Sequence, residues 1–219
     1  MITRYGYDVV GSIVLVYLIC ILVAWFVVDE RVLKSLLILI PSLFVVFTLY
    51  FFRDPERHPP AGDDLILAPA DGTIVLIQNL REDEYLRGEA TQISIFMSPL
   101  NVHVNRWPSG GVVRFFRHIP GEYIVAMDEK SSLRNERTLI GLEHPRGKVL
   151  FKQIAGFIAR RIVAPVQVGD TAVAGERFGM IKFGSRVDVL VLAGAAVQVK
   201  VGDRTVAGET ILAHMPPNG

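Results

Sequence analysis

A glycine followed by a serine, Gly184-Ser185, lies inside the stretch Arg177-Phe178-Gly179-Met180-Ile181-Lys182-Phe183-Gly184-Ser185-Arg186-Val187-Asp188. A glycine carbonyl has no side chain shielding it, so Oγ of the next serine can attack it and convert the amide to an ester. Base-assisted β-elimination then frees the upstream chain, and the dehydroalanine left behind hydrolyses to a pyruvoyl group and ammonia. The product is a covalent electrophile made without an external cofactor. The first step needs a base to take the hydroxyl proton and donors to hold the oxyanion. Most Gly-Ser pairs are turns, and the pair alone does not separate the two readings.

His103 stands between Val102 and Val104, so on a strand it points away from both. An imidazole exchanges protons near neutral pH; a structural histidine is the other reading. Asp71 precedes Gly72, by default a turn position. His58, His118, His144 and His214 each sit beside or near proline and read as loop or surface residues, with His118 close enough to line a pocket. Lys182 after Met180-Ile181 has the approach of a carrier-domain lysine, but a biotinyl or lipoyl lysine usually has small or acidic flanks, and Phe183-Gly184-Ser185 is a poor match. Carboxylates and histidines show no clustered ligand spacing, so no metal is expected.

The elements that must position these residues fall into two parts. The 219 residues suffice for one medium domain plus a membrane anchor, and the 51% of hydrophobic residues are concentrated in the first 52. A net charge of +1 gives no electrostatic case for nucleic acid. The single cysteine, Cys20, excludes an intrachain disulfide and a cysteine zinc cluster. Val9 to Val28 holds no charged residue, long enough at about 1.5 Å per residue to span a bilayer core of about 30 Å. Ser35 to Phe52 is a second such run, interrupted by Pro41, and Asp29, Glu30, Arg31 and Lys34 lie between. The pattern predicts a two-helix transmembrane hairpin within residues 1–60. A signal peptide would need a small-residue cleavage site, and Ala24-Trp25-Phe26-Val27-Val28 is a poor one; a buried hairpin of a soluble protein is the other alternative. Arg4, Arg53 and Arg57 at the ends outweigh Arg31 and Lys34 in the turn only slightly, which favours a cytoplasmic position for both ends. Phe51 to Arg57 reads as an interfacial collar whose Arg53 and Arg57 could meet lipid phosphates, or else as a solvated linker.

Residues 61–219 form the second part, a mostly β domain of barrel or sandwich type. Short strand-like runs such as Thr73 to Ile77, Ile93 to Met97, Val112 to Phe116, Lys148 to Ile154, Phe157 to Val163 and Val187 to Leu192 are punctuated by glycine and proline. One short helix is expected near Glu82 to Leu86. Val168-Gly169-Asp170-Thr171-Ala172-Val173-Ala174-Gly175-Glu176 is echoed by Val201-Gly202-Asp203-Arg204-Thr205-Val206-Ala207-Gly208-Glu209. The echo suits a β-barrel with pseudo-symmetric halves, and its turns are of the kind found in biotinyl and lipoyl carrier domains.

"FGMIKFGSRVDVLV" resembles the processing site of phosphatidylserine decarboxylases, and four further segments follow that family's order: "FFRDPER", "APADGTIV" with Asp71, "IFMSPLNVHVNRWPSGGVV" with His103, and "RNERT" over Arg134 to Thr138. The chain is similar to the compact form of the family over nearly its whole length. The resemblance implies that Ser185 becomes the pyruvoyl group, that Asp71 helps activate the serine, and that His103 serves self-cleavage, decarboxylation or both. It also implies neither pyridoxal phosphate nor metal. Longer members carry a second histidine where this chain has Arg106, so His103 is expected to take the base role, with Arg106 holding a carboxylate or phosphate of the substrate. The implied cycle condenses the amine of phosphatidylserine with the pyruvoyl ketone, releases carbon dioxide and yields phosphatidylethanolamine. The fragments Met1 to Gly184 and Ser185 to Gly219 should stay together through strand pairing, and a homo-oligomer is compatible with the sequence. Two rival readings are a membrane-tethered carrier or adaptor without catalysis and a decarboxylase of another serine-headgroup lipid.

Overall fold

The computed structural model describes residues 1–121, 135–156, 161–182 and 185–216. Gly184 of the expected cleavage pair and Arg134 of the "RNERT" segment lie outside the described residues. The chain divides into two compact units, Met1–Pro55 and Glu56–Gly219.

In the first unit a 3-10 turn, Arg4–Gly6, leads into α1 (Tyr7–Phe26), and α2 (Arg31–Phe51) follows. Glu30 caps α2 by accepting the N–H groups of Val32 and Leu33. Pro41 lies inside α2, where it removes one backbone donor; Ser42 Oγ donates to the Ile38 carbonyl at 2.7 Å and lies 3.2 Å from the Tyr17 hydroxyl, tying the helices together. Leu15, Leu22, Trp25, Phe26, Leu43 and Phe44 are exposed, as the core of a soluble protein would not leave them. Both helices are long and apolar enough to cross a membrane by length and composition.

The second unit is mostly β. Its strands are β1 (Leu65–Leu67), β2 (Gly72–Glu82), β3 (Gly88–Met97), β4 (Val104–Arg106), β5 (Gly111–Ile119), β6 (Arg137–His144) and β7 (Gly147–Ala155), then β8 (Arg161–Val163), β9 (Thr171–Ala172), β10 (Arg177–Lys182), β11 (Ser185–Leu192), β12 (Ala196–Val197), β13 (Arg204–Thr205) and β14 (Ile211–His214). Eight of them form a curled sheet in the order β13-β2-β3-β11-β7-β6-β5-β9, and two three-stranded sheets run β1-β14-β12 and β4-β10-β8. The expected helix near Glu82 to Leu86 is instead the end of β2 and a turn. The Glu82 carboxylate accepts the N–H groups of Glu84, Tyr85 and Leu86 at 2.7–3.0 Å, which closes the turn without a helix. Burial pushes its pKa up, but those N–H groups outweigh burial and leave it below the ordinary carboxylate value.

The two halves of the large sheet correspond, β13-β2-β3-β11 to β9-β5-β6-β7, and the registers show why. Thr73 pairs with Arg204 as Val112 pairs with Thr171. β2 and β5 carry bulges at matching places, between Ile74 and Leu76 and between Val113 and Phe115. Ile74 and Val113 donate to the carbonyls of Asp203 and Asp170, and Gly202 and Gly169 donate back to Ile74 and Val113, all at 2.8–2.9 Å. Gly208 and Gly175 donate to Ala68 and Trp107 in the same way. The four echo glycines have φ between +76° and +102°, the left-handed region that a side chain resists. The echo is therefore the visible trace of an internal two-fold that relates β1, β2, β3 and β11 to β14 with β4 to β10, the axis passing between β11 and β7.

The main core lies on the face of the sheet that carries Ile74, Ile95, Ile140, Phe151, Val187 and Val189. Trp107 and Phe178 join it, with ring centroids 4.7 Å apart. The period-2 alternation of β11 sends Arg186 and Asp188 to the other face, where Arg186 Nε donates to Asp188 at 2.6 Å and its Nη2 to Ser94 Oγ at 2.9 Å, all buried. Removing one partner of such a pair would strand a buried charge, at a cost of about 3–5 kcal/mol.

Candidate active site

Ser185 is the first residue of β11, the strand between β3 and β7, where it pairs with Met97 and Ala155. Its alternation partners Val187 and Val189 point into the core, so Ser185 points inward as well and is fully buried. Its hydroxyl donates to Met97 Sδ at 3.1 Å. A thioether is a weak acceptor, so the hydroxyl is held in one orientation by a bond that is cheap to give up.

β2 and β11 both run antiparallel to β3, so their first residues come to the same end of the sheet. Asp71 precedes β2 at that end. Gly72 passes so close to the Phe96 carbonyl and Ile95 that any Cβ would collide, which explains the Asp-Gly pair: the glycine lets the backbone approach β3 and leaves Asp71 at the rim. The Asp71 carboxylate accepts two bonds from Arg57 Nη2, at 3.0 and 2.9 Å, and one from the Ala207 N–H at 2.8 Å. It makes no hydrogen bond to Ser185 among the described residues.

His103 comes just before β4, and its carbonyl accepts the Ile181 N–H at 3.3 Å. It is thus beside the end of β10, whose Lys182 and the Ser185 of β11 are separated in sequence only by residues 183–184. The imidazole is fully buried, and Nδ1 lies 2.9 Å from the Asn101 carbonyl. A carbonyl only accepts, so Nδ1 carries the proton and Nε2 is the basic nitrogen. That is the tautomer a general base needs.

Among the expected binding residues, Arg106 is buried; its Nη1 donates to the Gly175 carbonyl at 2.9 Å and its Cδ lies against Gly208, linking the two echo turns. Arg57 is brought to Asp71 by the segment 56–60, which is fastened by Glu56 to Arg177 (3.1 Å), by the His58 N–H to Glu209 (2.8 Å) and by Pro59 against Gly175. Arg53, in the first unit, donates to the Tyr50 carbonyl at 2.7 Å and stacks 3.8 Å over the Tyr50 ring. Lys182 is buried at the end of β10, not on the exposed tip that a carrier lysine requires.

The sequence reading missed the residues behind the serine. Met97, Asn105, Gln153 and Thr138 form a buried polar chain ending at Ser185. Strand parity could have placed Met97 inward, but nothing local joins Thr138 and Gln153 to Asn105.

A family model described as phosphatidylserine decarboxylase matches residues 44–213. The phosphatidylserine decarboxylase proenzyme of Chlorobium phaeobacteroides is 45% identical over 212 residues, 97% of this chain and 99% of that one. That of Chlorobium phaeovibrioides is 51% identical over 174 residues, 80% and 79% of the two chains. That of Salinibacter ruber is 52% identical over 175 residues, 78% and 77%.

Proposed function

Because the chain belongs to the phosphatidylserine decarboxylase family of carboxy-lyase proenzymes, we propose that it cleaves itself between Gly184 and Ser185 and then decarboxylates phosphatidylserine to phosphatidylethanolamine at a membrane. The observation that carries this reading is the placement of Ser185. It is a buried serine at the head of a central strand, with Asp71 brought to the same end of the sheet and His103 beside the strand that leads to it.

His103 Nε2 takes the Ser185 proton as Oγ attacks the Gly184 carbonyl carbon, and the proton passes to the departing amide nitrogen, leaving an ester. Loss of the Ser185 α-proton then expels the Gly184 carboxylate, and water replaces nitrogen as ammonia leaves residue 185. The residues fit the pyruvoyl group so formed: it would stand at the buried head of β11 between Met97 and Ala155. A pyruvoyl ketone captures the substrate amine and accepts the electron pair released with carbon dioxide. A protonated His103 then delivers a proton to the substrate carbon, and Arg57 pairs with Asp71 at the rim.

The two pieces stay together because β11 pairs on both sides with strands of the large piece and β13 and β14 pair with β2 and β1. The two apolar helices serve as a membrane hairpin that keeps the enzyme at the headgroup plane of a substrate that never leaves the bilayer, a gain in effective concentration; the slight arginine bias favours the cytoplasmic face for the catalytic unit. The buried Lys182 argues against a carrier role.

Intact mass spectrometry in detergent tests the reading. A small fragment starting at residue 185, lighter than plain hydrolysis predicts by one ammonia, is expected, together with carbon dioxide release from phosphatidylserine vesicles. An intact chain from folded, active protein would overturn it. Turnover of another serine lipid in preference to phosphatidylserine would keep the chemistry and change the substrate.

A further inference from the structure

We propose that Asn105 is the positioning residue of the Ser185 nucleophile, its amide aimed from behind by Gln153 and Thr138. The proposal rests on the reading of Ser185 as the self-cleaving serine. The chain of contacts has one consistent direction. Thr138 Oγ1 donates to Gln153 Oε1 at 2.7 Å. The Gln153 Nε2 group therefore faces Asn105, donating to its Oδ1 at 2.8 Å. With Oδ1 fixed there, Asn105 Nδ2 must face the serine side, where it lies 3.4 Å from the Pro69 carbonyl and 3.9 Å from Met97 Sδ. Met97 Sδ in turn takes the Ser185 hydroxyl at 3.1 Å. Thr138, Gln153, Asn105, Met97 and Ser185 are all at least 98% buried.

The internal two-fold shows that the fold does not need this chain. Asn105 pairs with Gly179 on β10 as Ile66 pairs with Ala213 on β14, and Gln153 pairs with Val187 and Thr138 as Val191 pairs with Val149 and Thr91. The equivalent places thus hold Ile66 and Val191, in the apolar core. A buried amide pair costs desolvation that an apolar pair of similar shape avoids, so its presence only at the serine end points to the serine. The two long contacts of Nδ2 leave that donor weakly engaged on the side of Met97 Sδ, which loses its partner when the Ser185 hydroxyl is consumed.

The test replaces the chain with its apolar counterpart in the full-length proenzyme: Asn105→Ile with Gln153→Val. Hydroxylamine, which cleaves esters and not amides, reports the first step by releasing a fragment beginning with serine. The double variant should melt within a few degrees of the Ser185→Ala proenzyme, yet form the hydroxylamine-sensitive ester about 10- to 100-fold more slowly than wild type. Ester formation at the wild-type rate, or ester that accumulates because only the elimination is slowed, would overturn the proposal. Should the double variant not fold, Thr138→Val and Thr138→Ser decide: slow ester formation in the first and restoration in the second support it, and equal rates refute it. Release of a fragment at residue 185 by the Ser185→Ala chain would instead defeat the underlying reading.

Discussion

The curled sheet has two ends related by the internal two-fold, and they differ in what they carry. Matching registers place Gly147 where Ser185 stands, His144 where Met97 stands, and Gly110 where Asp71 stands. Asp64, whose carbonyl takes the Met215 N–H, matches His103, whose carbonyl takes that of Ile181. At the serine end the strand begins with the buried Ser185; at the other it begins with a glycine of φ +143° in a tight hairpin between β6 and β7. That end opens a cleft of about 680 Å³ lined by Gly110, Gly111, Glu143, His144 and Thr171. One scaffold thus builds the same strand end twice, and side chains alone distinguish the end proposed to react.

Making the reactive end copy its twin should have the largest effect. Ser185→Gly removes the nucleophile while keeping the strand, so no fragment starting at residue 185 should appear by mass spectrometry; its appearance would assign cleavage elsewhere. His103→Asp, again the twin's residue, replaces the basic imidazole nitrogen with a weaker base and should slow self-cleavage by about 10²- to 10⁴-fold. Full processing and full activity in that variant would remove His103 from the mechanism. Arg57→Ala should act less severely, through Asp71, slowing processing by about tenfold. Added guanidinium ion should restore part of the rate in Arg57→Ala and none in Asp71→Asn; equal responses would break the link between the two residues.

The echo turns sharpen the comparison through stability. Gly208→Ala and Gly175→Ala each force a side chain into left-handed backbone, at a cost of about 1–2 kcal/mol. A Cβ at Gly208 would come within 2.9 Å of the Arg106 side chain, whereas one at Gly175 would meet the rigid ring of Pro59 more closely still. Gly175→Ala should therefore lower the melting temperature more, and a reversed order would show that the ring yields.

Local signals carried much of this. The Gly-Ser pair, the Asp-Gly pair and the echo are each a few consecutive residues, and each marks a backbone feature fixed by local chemistry. The mostly β character was legible from short alternating runs. What stayed hidden was long-range. The partnership of Arg57 with Asp71 depends on how segment 56–60 is laid across both echo turns. The Asn105–Gln153 bond joins β4 to β7, which lie in different sheets. The helix expected near Glu82 failed because one carboxylate closes the turn, a competition that propensity alone does not register.

The smallest predicted effect concerns His144, the counterpart of Met97. Burial pushes its pKa below the ordinary histidine value, and Arg146 pushes the same way against the opposing influence of Asp63. An unfolded chain takes up this proton near pH of about 6.5, the folded one only at lower pH. Between those values the unfolded state binds more protons, so folded stability falls as pH drops through the window. His144→Gln, made in the Ser185→Ala proenzyme to keep one covalent species, should shrink the difference in melting temperature between pH 7.5 and 5.5. An unchanged difference would mean that His144 is not the group responsible. Met97 has no proton to exchange, so in the same place at the serine end it accepts the Ser185 hydroxyl equally at any pH.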